Sequence, residues 1–87
     1  MSATLSAEIR QVLNRHARLP VDAESIDEHT DLFQAGMSSH ASVNVMLALE
    51  DTFDVEFPDE MLTRSAFESV AAIRTALASL GVQEAAA

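Results

Sequence analysis

The chain contains no cysteine, which excludes a disulfide scaffold, a thiolate metal site and an internal thiol nucleophile. It contains no lysine either, so its basic side chains are five arginines. The longest uninterrupted apolar run, Val45 to Leu49, has five residues, far short of the ~20 that a membrane-crossing helix needs. The first residues lack the basic-then-apolar pattern of a secretory leader. A soluble, cytoplasmic, monomeric protein with no membrane partner is expected. With 87 residues there is room for one domain with a small core and no large cavity.

Charge is the strongest feature that is present. The formal net charge is −9. All five arginines (Arg10, Arg15, Arg18, Arg64 and Arg74) lie outside Leu19 to Thr63, whereas eleven of the fourteen acids lie inside it. That distribution predicts a negative surface that repels nucleic acid and anionic lipid. It would attract basic patches on partner proteins, unless its purpose is solubility alone.

Hydrophobic periodicity predicts helices throughout. Leu5, Ile9, Val12 and Leu13 follow the spacing of an amphipathic helix, with Glu8, Arg10, Gln11 and Asn14 on the outward side. Pro20 should stop that helix by Ala17 or Arg18. A long polar connection follows over residues 19–37, which Val21, Ile26, Leu32 and Phe33 are placed to peg to the core and which Gly36 closes. A second helix is expected from Ser38 or Ser39 to Phe53, its apolar positions covering more than one stripe. Residues 54–58 read as a turn, and 59–63 as a short helical turn with Asp59 at its N-cap. Ser65 and Glu68 have the spacing of a capping box for a last helix. On that helix Phe67, Val70, Ile73, Leu77 and Leu80 form one apolar stripe, and Gly81 stands where a left-handed cap belongs. The result is an all-α bundle of three main helices plus a short one over 1–81, with a flexible tail at 82–87.

Two kinds of chemistry fit these residues poorly. A calcium loop starting at Asp31 would need oxygen ligands where Phe33 and Ala35 stand, and His16, His29 and His40 lack ligand spacing. No metal site is expected. Ser39 and His40 are chain neighbours, which point in different directions on a helix, and no glycine elbow accompanies them. Catalysis by the chain itself is therefore not expected.

The ordered set Asp31-Leu32-Phe33, Gly36, Ser39, Val43, Ala48-Leu49-Glu50, Phe53 and Phe57-Pro58 resembles the acyl and peptidyl carrier protein family. The resemblance extends into the last helix and implies an acyl-carrier-protein-like fold. It implies that Ser39 is the attachment point for 4′-phosphopantetheine, delivered from coenzyme A by a phosphopantetheinyl transferase with Mg²⁺. A serine at a helix start suits this, because free N–H groups and the helix dipole favour an anion there. Ser38 is the rival hydroxyl; it stands where the family usually has aspartate, and serine, like aspartate, caps helices well.

The run departs from fatty-acid carriers around Ser39, where the family's usual Asp-Ser-Leu becomes Ser38-Ser39-His40, Ala41 and Asn44 stand in place of acids, and acids resume only at Glu50. In this it resembles small stand-alone bacterial carriers, some of them loaded by amino acid:[carrier protein] ligases. The implied cargo is an aminoacyl group such as glycyl or alanyl. Fatty-acyl, polyketide or peptide cargo, or an unmodified acidic adaptor, are the alternatives. The implied partner contacts are Gly36, Met37 and Ser38 in the loop, with His40, Ala41, Val43 and Asn44 on the helix.

If the acidic middle steers partners, stopped-flow association with a basic partner slows as salt is raised, since exposed charges are screened over about 8–10 Å at physiological ionic strength. Association rates that ignore salt would assign the charge to solubility alone.

Overall fold

In the computed structural model, which describes residues 4–82, the chain's apolar periodicity resolves into helices that meet along one buried seam. Helix α1, Leu5–His16, is capped by Thr4, whose Oγ1 accepts the Ala7 N–H at 3.0 Å. It buries Leu5, Ile9, Val12 and Leu13 and ends at Ala17, after which Arg18 takes a left-handed φ of 56°. The stop falls where Pro20 predicts it.

The connection that follows is tied down mainly by polar bonds. Arg10 donates to the carbonyl oxygens of Ala23 at 2.7 Å and Ile26 at 2.6 Å. Asn14 donates to Asp22 Oδ1 and accepts the Ala23 N–H at 2.7 Å. Arg10 and Asn14, expected to face outward, thus serve the loop, because backbone groups outside regular structure still need partners. Val21 is half exposed and pegs nothing; Ala23, fully buried, takes that part beside Leu32. Ile26 and Phe33 pack on the core only partly buried.

From the other side, α4 holds the same loop. Ala71 N–H donates to the Glu28 carbonyl at 2.9 Å, and Leu32 N–H donates to the Glu68 carbonyl at 2.7 Å. Arg74 bonds Ser6 Oγ at 2.6 Å and Glu28 Oε1 at 2.7 Å. That hydrogen bond, with the charge behind it, holds the Glu28 carboxyl below its ordinary pKa.

The loop contains a short helix that its composition did not announce, α2, Leu32–Ala35. Asp31 caps it by accepting the N–H groups of Phe33 at 2.9 Å and Gln34 at 3.2 Å. Gly36 ends it with φ 129°. Helix α3, Ser39–Phe53, turns back after Asp54 in left-handed geometry. Its buried side chains are Ala41, Val45 and Leu49. Met46 and Phe53 are half buried, while Val43 and Leu47 are 49% and 52% exposed. One stripe is fully buried, and Met46, Ala48 and Phe53 pack on the core beside it. The following turn is closed by Glu50, whose Oε2 accepts the Phe57 N–H at 2.8 Å.

Residues 59–63 hold a 3₁₀ turn at Asp59–Met61, with Pro58 at the cap position and no side-chain cap bond, so Asp59 is not the cap. A second 3₁₀ turn, Arg64–Phe67, is capped by Thr63. The capping box expected at Ser65 and Glu68 does not form. Helix α4, Val70–Ser79, starts later, and the buried Ser69 caps it by accepting the Ala72 N–H at 3.0 Å. The delay has two causes. Phe67 must reach Phe57, 5.3 Å away edge-to-face, and the Glu68 carbonyl is committed to the loop. Phe67, Val70, Ile73 and Leu77 are buried as the stripe predicts, with Leu80 half buried.

Gly81 has φ 92° beyond the end of α4. Val82, assigned to the tail by the sequence pattern, still packs on the core and donates to the Leu77 carbonyl at 3.0 Å. The rest of the expected tail lies outside the described residues. Among those residues the structure is all-α, with three main helices and one short one, α1 packing on both α3 and α4. The helical turn expected at 59–63 is present as the 3₁₀ turn at Asp59–Met61, and the short α-helix at 32–35 comes in addition.

A Cβ at Gly36 would stand 2.8 Å from Pro20 Cδ, at a φ that L-residues avoid. Gly36→Ala should therefore cost about 1–3 kcal/mol in urea unfolding. Part of the loss should disappear in a Pro20→Ala background. An equal loss in both backgrounds would show that the Pro20 contact adds nothing.

Candidate functional site

Gly36 reverses the chain out of α2, and the next residues set up the start of α3. Met37 is buried and donates its N–H to the Leu32 carbonyl at 2.9 Å. Ser38 is extended, with φ −78° and ψ 163°, and its Oγ accepts the Ala41 N–H at 3.0 Å. The cap is thus made by Ser38. Ser39, the first residue of the helix, is exposed. Its carbonyl accepts the Ser42 hydroxyl at 2.6 Å. Among the described residues no hydrogen bond engages its own hydroxyl.

The surroundings favour an anion on that hydroxyl. The first turn of α3 carries no acid, so nothing local offsets the positive end of the helix dipole. Ser39 also lines an open groove of mostly apolar character. Phe33 of α2, Ser42, Val43 and Met46 of α3, and Leu62, Thr63, Arg64 and Phe67 form its walls. The Arg64 guanidinium lies 4.1 Å from the centre of the Phe33 ring.

The residues expected to contact partners separate into three groups. Gly36, Ser38, Ser39, His40, Val43 and Asn44 are exposed. Met37 and Ala41, at 2% and 3% exposure, are core residues. Their side chains fill space under the turn and cannot form a docking surface, which corrects their assignment. Val43 faces the Ser39 groove, whereas Asn44 lines a different groove with Arg15, His16, Leu47 and Asp51. Among the described residues no three of His, Asp and Glu stand close enough to hold a metal ion. No helix there is long and apolar enough to cross a membrane.

The family described as "Phosphopantetheine attachment site" matches residues 3–77. The chain belongs to this family of carrier proteins. An aminoacyl carrier protein of Agrobacterium fabrum (strain C58) is 45% identical over 69 residues, covering 79% of the carrier and 83% of the relative. Two solved structures are similar. One is of engineered Bradyrhizobium japonicum glycine:[carrier protein] ligase complexed with carrier protein from Agrobacterium tumefaciens and AMP. A chain of it has a TM-score of 0.82 and 42% identity, covering 84% of the carrier and 97% of that chain. The other is of Bradyrhizobium japonicum glycine:[carrier protein] ligase complexed with glycylated carrier protein, with a TM-score of 0.71 and 25% identity over 83% of the carrier and 96% of that chain.

The cofactor of the carrier is covalent 4′-phosphopantetheine. The site suits it on physical grounds, since it offers an exposed, unengaged hydroxyl at a helix start free of acids. Arg64 was missed by sequence reasoning. Nothing local marks it beyond its being the first cation after a long acidic stretch; the fold alone brings it to the groove of Ser39.

Urea unfolding should separate the two serines. Ser38→Ala removes the cap and should cost about 0.5–2 kcal/mol, while Ser39→Ala should stay within about 0.5 kcal/mol of the parent. The reverse order would assign the cap to Ser39.

Proposed function

We propose that Ser39 bears the phosphopantetheine arm and that the arm carries an aminoacyl group, such as glycyl or alanyl, loaded by an amino acid:[carrier protein] ligase. The observation that carries the assignment is the division of work at the start of α3. Ser38 caps the helix, and Ser39 projects a hydroxyl with no partner among the described residues.

Ser39 Oγ forms a bond to the β-phosphorus of coenzyme A and releases its proton, while the pyrophosphate linkage breaks and adenosine 3′,5′-bisphosphate leaves. A phosphopantetheinyl transferase supplies the Mg²⁺ and the activation, so the carrier needs no base beside Ser39 and acts as a substrate, not an enzyme. When bound, the arm supplies a thiol that holds the acyl group as a thioester, on a chain that has no cysteine to compete for it.

The aminoacyl reading rests on two supports. The relatives include an aminoacyl carrier protein and chains from structures of glycine:[carrier protein] ligase. The exposed face at the start of α3, with His40, Val43 and Asn44, also carries no acid. It offers little to the basic patches on which acidic fatty-acid carriers dock. A carrier supplied by coenzyme A and adenylate-forming ligases works in the cytoplasm on this reading.

Incubation with coenzyme A, Mg²⁺ and a broad-specificity transferase should add one phosphopantetheine by intact mass, and Ser39→Ala should abolish the gain. Folded protein that gains nothing beside an active transferase would overturn the assignment, as would a Ser39→Ala variant that still gains the mass. The holo protein should then accept glycine or alanine from such a ligase and remain unloaded by fatty-acid enzymes. The opposite pattern would reassign the cargo.

A further inference from the structure

Arginine use in this protein is uneven, and one arginine is left over beside the site. Arg10 is spent on two loop carbonyls and Arg74 on Glu28 and Ser6. Arg15 lines the groove on the other side of α3. Arg64 lines the groove of Ser39, is exposed, and has no hydrogen bond or ion pair among the described residues. Arg15 and Arg18 likewise have no carboxylate within ion-pair distance among the described residues; what sets Arg64 apart is its place on the groove of Ser39.

Its orientation there is set by Phe33. The guanidinium sits against the Phe33 ring at 4.1 Å, which immobilises one face of a planar cation while leaving its N–H groups able to donate. Phe33 is itself fixed, because Asp31 accepts its N–H at the start of α2. The other polar groups of the groove are committed locally. The Ser42 hydroxyl donates to the Ser39 carbonyl at 2.6 Å, and Thr63 Oγ1 accepts the Ala66 N–H at 3.3 Å. Among the described residues, the Ser39 hydroxyl and the Arg64 guanidinium therefore remain unengaged by protein oxygen or nitrogen.

We propose that Arg64, held by Phe33, is the residue that grips the phosphodiester on Ser39, pinning the base of the arm at the mouth of the groove. The proposal rests on Ser39 being the attachment point. The guanidinium fork matches the two non-bridging oxygens of a phosphodiester. Tethering the anion to Ser39 makes the encounter intramolecular, so an exposed pair that would be weak between separate molecules gains from a high effective concentration. Arg64 is a positioning residue, acting on the arm and not on the thioester.

The test compares apo and holo protein labelled with ¹⁵N, after intact mass has established the modification. In the holo form the Arg64 Nε–H resonance should move downfield, with the other arginines unchanged. The ³¹P resonance of the phosphodiester should shift in Arg64→Gln and only partly in Arg64→Lys, which keeps the charge but loses the fork. Added salt should reduce the wild-type difference. An Arg64 resonance identical in apo and holo protein, with ³¹P unchanged in Arg64→Gln, would overturn the proposal. So would a resonance that moves only when a ligase is added, which would assign Arg64 to a partner's carboxylate. No mass gain, or a gain retained in Ser39→Ala, would instead sink the attachment assignment and the clamp with it.

Discussion

The connection between α1 and α3 must place a serine at a helix start, yet over most of its length it has no regular structure to satisfy its backbone. Its polar groups are met by side chains of α1 on one side and by α4 with the residues just before it on the other. Arg10 and Asn14 of α1 bind one end, and the Glu68 carbonyl, Ala71 N–H and Arg74 bind the other. Buried backbone groups left unpaired would be costly, so this set of bonds decides where the loop runs. Everything near the site inherits its position from them, because Leu32 begins α2, α2 ends at Gly36, and Gly36 leads through the buried Met37 into Ser38.

The turn then separates two roles that one residue type could confuse. Two adjacent serines stand at the start of α3, and only one can make the cap bond, since the cap residue must be extended while its neighbour is already helical. Ser38 is extended and bonds Ala41 N–H. Ser39 is helical and faces solvent. Capping is a requirement of folding and falls on Ser38; the proposed modification falls on the other hydroxyl.

The acids show a similar division. Asp22, Asp27 and Asp31 accept nearby N–H groups in turns and caps, Glu50 closes the turn after α3, and Glu28 pairs with Arg74. Several members of the acidic stretch therefore shape the loops while adding to the negative surface. The placing of Asp31 before α2 and Glu50 before Phe53 has a structural cause. Against that background Arg64 is notable for lying on the groove wall with no acid to neutralise it.

The helices of the main bundle were legible from the chain because their signals are local. Apolar spacing in α1, Pro20 after it, and Gly81 beyond α4 act over a few residues and survive any tertiary arrangement. Ser39 was legible for the same reason, as part of an ordered motif around a helix start. Some misses were local, such as the short helix that Asp31 caps and the cap assigned to Asp59, but those that shape the site are long-range. Ser65 and Glu68 have the spacing of a cap, but Phe67 packing on Phe57 and the Glu68 carbonyl bonding Leu32 delayed α4 to Val70. Arg10 and Asn14 lie on the polar side of α1, yet the loop folded over them. Met37 and Ala41 adjoin an exposed serine and are nonetheless core. The sequence by itself determined the helices and the serine at the head of α3. Only the tertiary structure decided which side chains surround that serine, because Arg64 and Phe33 come from distant segments brought together by packing.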